Sequence, residues 1–178
     1  MKGNLSLMQV TTLATERLTL RPLTFEDDAF ILRLLNEPSF IRHIGDKQVR
    51  TLEDARSYIG SGPQASHSTH GFGLDRVELS STAQPIGMCG LLKRDILPDP
   101  DVGYAFLPEF WSRGYASEAV CAVLNDARER LALKRVTAVV SNDNAASVRL
   151  LERMGFRFQR MFEFHEGEPE VRLYRIDL

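Results

Sequence analysis

Two short stretches hold residue types that can do chemistry. In the first, Ser112-Arg113-Gly114-Tyr115-Ala116 lies between an expected strand end at Phe106-Leu107 and an expected helix. A small-residue loop at a helix start offers several unpaired backbone N–H groups and the positive end of the helix dipole, which suits a pyrophosphate. Gly114 lets the backbone approach phosphate oxygens, Ala116 is small for the same reason, and Arg113 can add charge. The same spacing also describes an ordinary glycine-bearing strand-to-helix turn. In the second stretch, Asn144 and Ser147 stand three residues apart at another helix start, with Leu151 one turn further on the same face. An amide and a hydroxyl then point together, although helix capping alone explains both residue types.

Two carboxylates fall near these stretches. Asp101 opens the run DVGYAFL and is a candidate base; within Pro-Asp-Pro-Asp it also reads as a turn residue. Glu109, in LPEF, reads as a loop residue. His43, His67, His70 and His165 are scattered and match no metal-ligand spacing, so no metal is expected.

Patterning supplies the elements that must position these groups. Residues 16–23 alternate as a strand, and Thr24 caps a helix with acids in its first turn, closed by Pro38. Thr51-Leu-Glu-Asp is a capping box opening a second helix to about Ile59. Residues 60–70, rich in Gly, Ser and His, read as a loop. Strands follow at about 71–79, 85–93 and 101–107, with a Pro-rich turn before the last. From Gly114 to about Leu133 runs an amphipathic helix with Ala119, Val120, Val123, Leu124, Ala127 and Leu131 on one side. A buried strand at 135–141, a helix at 144–154 closed by Gly155, and a hairpin turning at Glu-Gly-Glu-Pro complete the chain. The order β-α-α-β-β-β-α-β-α-β-β implies a mixed sheet in an α/β (α+β) class.

The 178 residues suit one domain, taken as 15–178 behind a leader at 1–14. A net charge of −2 gives no general basic field, which disfavours nucleic acid as a partner. No signal peptide and no apolar run of about 18 residues appears, so no membrane partner is expected and the cytoplasm is the default. Cys89 and Cys121 both sit in apolar stretches and read as small buried residues.

Together, RGYASEA and NDNAASVRLLERMGF, in this order after a strand, resemble the acetyl-CoA loop and the pantetheine-side helix of the GNAT superfamily of N-acetyltransferases. ATERLTLRPLTFEDDAFILRLLNEP resembles the opening of its branch of ribosomal-protein N-terminal acetyltransferases. The resemblance covers residues 14–178 and implies a mostly antiparallel sheet of about seven strands with a splayed central parallel pair, 101–107 and 135–141.

It implies acetyl-CoA as cosubstrate, with pantetheine on the backbone of Phe106 and Leu107 and an oxyanion donor near Leu107. Trp111, at the place where the superfamily usually has Gln or Arg, joins Ser112, Arg113, Gly114, Tyr115 and Ala116 in the loop. Asn142, Asn144 and Ser147 stand on the cofactor side. Many members carry a Tyr acid where this chain has Leu151, so Ser147 becomes the candidate partner of the leaving sulfur, with Asp101 the base. The implied acceptor is a protein N-terminal α-amine. The alternatives are a polyamine or aminoglycoside, or a module that binds acetyl-CoA without catalysis; the protein is expected as a monomer or homodimer.

Overall fold

The computed structural model describes residues 11–178. Apolar alternation in the first long strand buries Leu18 and Leu20 completely in β2 (Leu18–Pro22). A two-residue strand, β1 (Leu13–Ala14), pairs antiparallel with it, within the stretch read as a leader; residues 1–10 of that stretch lie outside the described residues. Thr24 and Asp27 then form a capping box around a 3-10 turn that runs into α1 (Asp28–Leu35). Pro38 follows the end of α1, and it also starts α2 (Pro38–His43), because its fixed φ and missing N–H cost nothing at a first helical position. The expected capping box at Thr51 is present, with the Asp54 N–H donating to Thr51 Oγ1 at 3.1 Å, and opens α3 (Leu52–Ile59).

The loop expected over 60–70 is helical instead. Residues 60–64 form a wide π turn that leads into α4 (Ala65–His70). The widened turn makes room for Pro63, which is buried and has no N–H to give the ladder. Serine hydroxyls support the backbone here: Ser61 donates to Ser57 C=O and Ser68 to Gln64 C=O. Tertiary burial and these bonds outweigh the low helix propensity of Gly60 and Gly62. Gly71, at φ +76°, ends α4 in the left-handed conformation.

The remaining elements are β3 (Leu74–Leu79), β4 (Pro85–Leu92), β5 (Asp101–Phe106), α5 (Tyr115–Glu129), β6 (Arg135–Ser141), α6 (Ala145–Arg153), β7 (Arg157–Phe162) and β8 (Val171–Asp177). They complete an eight-stranded sheet in the order β1-β2-β3-β4-β5-β6-β8-β7. All neighbours are antiparallel except β5 and β6. Helix α5 buries its expected stripe, Ala119, Val120, Val123, Leu124 and Ala127, and Leu131 packs beyond it partly buried. Cys89 is buried as expected, but Cys121 is exposed because its phase on α5 lies outside that stripe.

Cross-strand neighbours share a face, so Asp75, Cys89 and Tyr104 form one row across the sheet. Asp75 feels the charges of Asp126 and Arg130, which places this row on the face covered by α5. Arg76 points the other way, to Asp27 at the start of α1. Asp27 is buried and accepts from Arg21 at 2.8 and 2.9 Å, from Arg76 at 2.6 Å and from the Thr24 N–H at 2.8 Å. Burial raises its pKa, but the bonds from Arg21, Thr24 and Arg76 outweigh that and hold it below the ordinary value.

Asp27→Asn breaks this network and leaves two guanidiniums partly uncompensated. It should cost about 3 kcal/mol, at the low end for a broken buried pair because Arg21 is partly exposed. Thermal melts at pH 7 should fall by roughly 6–12 °C. Because the folded pKa is depressed, the carboxylate's contribution is present above about pH 4 and is lost as pH falls through the folded value. The gap between wild type and variant should therefore narrow in melts below pH 4.

Candidate active site

A gap between β5 and β6 organises the site. The two strands meet in one register pair, Asp101 opposite Thr137, where the Thr137 N–H donates to Pro100 C=O at 2.9 Å. From there β6 pairs along its whole length with β8, and β5 with β4. Backbone groups alternate in direction along a strand. The Leu107 N–H donates to Ile86 C=O at 2.9 Å, toward β4, while Pro100 C=O faces β6. Val102 points the same way at the closed end of the gap, and Tyr104 and Phe106 turn their backbone groups toward its open part. Leu107, expected to offer its backbone there, is already committed: its C=O also accepts from Phe110 N–H at 3.0 Å. Phe106 keeps its expected place, and its C=O accepts from Trp111 Nε1 at 2.8 Å.

The loop 112–116 leaves the same end of β5. Ser112 and Gly114 hold positive φ, +60° and +80°, and Gly114 caps α5. The first N–H groups of α5 thus open beside Tyr115 and Ala116, which line the cleft with Trp111, Ser112 and Gly114. Trp111, half exposed, anchors the loop through its indole N–H. Arg113 does not line the cleft; its guanidinium lies over the Phe110 ring, 5.7 Å from the centroid. The basic residue that shapes the loop is Arg17. It donates to Arg113 C=O at 2.9 Å, pairs with Glu118 at 2.6 Å and lies 4.6 Å over the Tyr115 ring. Thr15 Oγ1 and the Arg17 N–H also donate to Glu118, at 2.6 and 2.9 Å. No local signal marks Arg17, because its partners are about a hundred residues away in sequence.

On the second helix, Asn144 Oδ1 accepts from the Ser147 N–H at 3.1 Å, so capping is real there, and both side chains line the cleft. Ser147 Oγ lies 2.5 Å from Tyr104 Oη. Burial pushes the Tyr104 phenol up to about 12, with the Ser147 bond opposing. Leu151 is in the core. A tyrosine thus reaches this helix from β5 rather than from the helix itself; the strand expected over 101–107 held a signal in parity, since Tyr104 shares its parity with Phe106. Asn142 stands apart from the cleft. Its amide donates to Glu170 C=O at 3.0 Å and its carbonyl accepts from Arg172 at 3.1 Å, which ties β6 to the final hairpin.

Asp101 is buried and bonded by Arg94 Nε at 3.0 and 3.1 Å. Burial raises its pKa, against the pull of Arg94. Its odd position on β5 sends it to the face opposite Tyr104. Tyr58 and Lys47, from the α2–α3 region, line that end of the cleft with Arg94. Glu109 pairs with Arg33 at 2.6 Å on the surface. Among the described residues no group of His, Cys, Asp or Glu is gathered to hold a metal, and no helix is long and apolar enough to cross a membrane.

The cleft holds about 1660 Å³, well above an ordinary small-ligand site, and runs from the loop 112–116 through the gap to Asp101. A long cosubstrate and an acceptor fit such a space together. A small-residue loop at a helix start, an open strand edge, and hydroxyl and carboxyl groups on opposite faces line this one cleft, an arrangement that a group transferase with two substrates can use. Residues 17–157 match the acetyltransferase (GNAT) domain, and the chain belongs to that family. It is 31% identical over 170 residues, 92% of this chain and 95% of the relative, to YoaA of Bacillus subtilis, described as an uncharacterised N-acetyltransferase. An acetyltransferase structure from Agrobacterium tumefaciens matches with TM-score 0.80 and 28% identity, covering 94% of each chain. The same fold is seen in RimL, a ribosomal-protein α-N-acetyltransferase solved with coenzyme A, at TM-score 0.81 and 17% identity over 94% of this chain and 98% of that one. The chain is an N-acetyltransferase of GNAT fold.

Gly114→Val should abolish acetyl-CoA binding in calorimetry. A Cβ at φ +80° is strained, and it would stand 3.3 Å from Arg17 Nη2. The fold should survive, with a stability loss of about 1–3 kcal/mol. Unchanged binding by a folded variant would remove the loop from the site.

Proposed function

We propose that this enzyme transfers the acetyl group of acetyl-CoA directly to the α-amine of a protein N-terminus. The observation that carries the reading is the division of proton-handling groups between the two faces of the gap. Tyr104 and Ser147 stand on the α5 face, with the loop that suits the pyrophosphate, and Asp101 stands on the other. Bound acetyl-CoA supplies the acetyl thioester. The loop 112–116 holds the phosphates, and the gap-facing backbone of Tyr104 and Phe106 pairs with the pantetheine. The Phe106 N–H, in place of the Leu107 N–H, stabilises charge that develops on the acetyl oxygen.

The hydroxyl pair acts on the departing sulfur. A phenol near 12 and a thiol near 8.5 differ by about 3.5 units, so complete proton transfer from Tyr104 is uphill by roughly 5 kcal/mol. Tyr104 therefore donates to Ser147, and Ser147 donates a hydrogen bond to the thiolate, whose final proton comes from water. This role needs hydrogen-bond strength rather than acidity, so the absence of a tyrosine at Leu151 does not argue for a non-catalytic module.

Asp101 accepts the proton of the attacking amine while Arg94 holds its orientation. An α-amine with pKa about 7.8 is roughly 30% neutral at pH 7.4, against about 0.1% for a lysine, so a carboxylate suffices for the former. Polyamines and aminoglycosides fit this end less well, because Lys47 and Arg94 repel polycations. The two free cysteines suit a cytoplasmic setting.

The test compares a peptide bearing a free N-terminus with its N-blocked copy carrying an internal lysine, with thiol release as the readout. The free α-amine should react faster, at a rate rising through about pH 7–8.5 and then level to pH 10, because Tyr104 stays protonated over that range. Faster acetylation of the blocked peptide overturns the assignment. Asp101→Asn should cost less than about tenfold with the α-amine peptide, since water can carry that proton.

Ser147→Ala and Tyr104→Phe should each lower kcat by about 10- to 100-fold, the range for a hydrogen bond to a charged group, with little change in acetyl-CoA affinity. The double variant should be no slower than Ser147→Ala, because Tyr104 acts through Ser147. Fully additive losses would separate the two hydroxyls.

A further inference from the structure

Charges at the acceptor end of the cleft are unevenly matched. Arg94 gives its Nε to Asp101 and lays its guanidinium 5.1 Å from the Phe164 ring centroid. Its two terminal nitrogens make no hydrogen bond among the described residues. Lys47 lines the same cleft, and its ammonium has no carboxylate partner there. Its neighbour Asp46 is committed elsewhere, to Arg50 at 2.5 Å and to Gln48. Of the other basic groups that line the cleft, Arg42 and His43 face Asp143, Lys93 donates to Leu97 C=O, and Arg149 and Arg153 belong to α6. Asp101 thus lies against Arg94, with Lys93 also acting on it, while Lys47 feels the charge of Arg94; of the other carboxylates lining the cleft, Glu37 pairs with Arg33 at 3.5 Å, Glu152 accepts from Tyr174, and Glu168 stands in the final hairpin.

The two cations also act on each other. Burial against the cleft walls and the charge of Arg94 both lower the Lys47 pKa, even though solvent reaches the side chain through the open mouth. Like charges held together in partly dry surroundings are relieved by an anion placed between them.

Resting on the acceptor proposal above, we propose that the acceptor carries a carboxylate a few bonds from its reacting amine, and that Lys47 and the free edge of Arg94 bind it. The position follows from Asp101. An amine near enough to pass its proton to Asp101 sits beside a guanidinium already 3.0 Å from that carboxylate. Substituents close to the amine then fall within reach of the outward-facing nitrogens of Arg94, with Lys47 beyond. On a protein N-terminus the carboxylate is an Asp or Glu side chain at the first or second residue; on a small acceptor it is the α-carboxylate of an amino acid.

The experiment measures kcat/KM by thiol release for free-N-terminus peptides carrying Glu, Gln or Lys at position two, and for free glutamate beside its α-amide. Wild type should prefer the Glu peptide over the Gln peptide by about tenfold and disfavour the Lys peptide. The Glu/Gln ratio should shrink as salt rises. Lys47→Glu should reverse the order of the Glu and Lys peptides, a ratio that a general loss of activity or stability would not invert. Glutamate favoured over its α-amide, with peptides slow, assigns the carboxylate to a free amino acid. Equal rates for Glu and Gln peptides together with equal rates for glutamate and its amide, or an order unchanged in Lys47→Glu, would overturn this inference while leaving the N-acetyltransferase reading in place. If no member of the set releases thiol, the acceptor proposal falls and this inference falls with it.

Discussion

The site depends on the failure of β5 and β6 to stay paired. They share the register Asp101–Thr137 and then diverge, each held by its other neighbour. A sheet interior normally satisfies every backbone group within the ladder. Here the edge at Tyr104 and the Phe106 N–H is left facing a cleft, and an extended polar ligand can complete it. The unpaired edge is held open by antiparallel partners on both sides, so no particular side chain is needed to create it.

The gap also brings groups on opposite faces of the sheet onto one cleft. Along β5, three residues separate Asp101 from Tyr104, and strand alternation sends them to opposite faces. In an unbroken sheet they would be isolated from one another. The opening lets the surroundings of Asp101 and of Ser147 share one cleft. Long-range contacts then fix each side. Arg17 and Thr15 hold Glu118 and the loop, while Asp27 ties β2 and β3 to the start of α1.

The electrostatics divide in the same way. The α5 face carries a neutral hydroxyl pair whose phenol remains protonated across the neutral range. The opposite face carries a buried carboxylate held by a guanidinium, with a further cation close by. The two faces of the cleft therefore differ in charge, neutral hydroxyls on one and an ion pair on the other.

Local physics in the sequence determined most of the elements. Alternation gave β2, the apolar stripe gave α5, and the Thr51 box and Asn144 cap fixed where two helices begin. The loop 112–116, Asn144, Ser147 and Asp101 were legible as candidates because their spacing at strand and helix ends is a local property. What only the tertiary structure decided are partnerships between distant segments and the direction of backbone groups. Leu107 and Asn142 looked available until β4 and the final hairpin claimed their polar groups. Arg17 displaced Arg113 as the residue that shapes the loop, from about a hundred residues away. Residues 60–70 became helical because burial of Pro63 and serine-to-backbone bonds outweighed glycine propensity. Tyr104 met Ser147 because strand parity and the splay of β5 from β6 brought a phenol to a helix that lacks one. Residue type and spacing set what each segment can form, whereas pairing across the sheet sets which of its polar groups remain free to act.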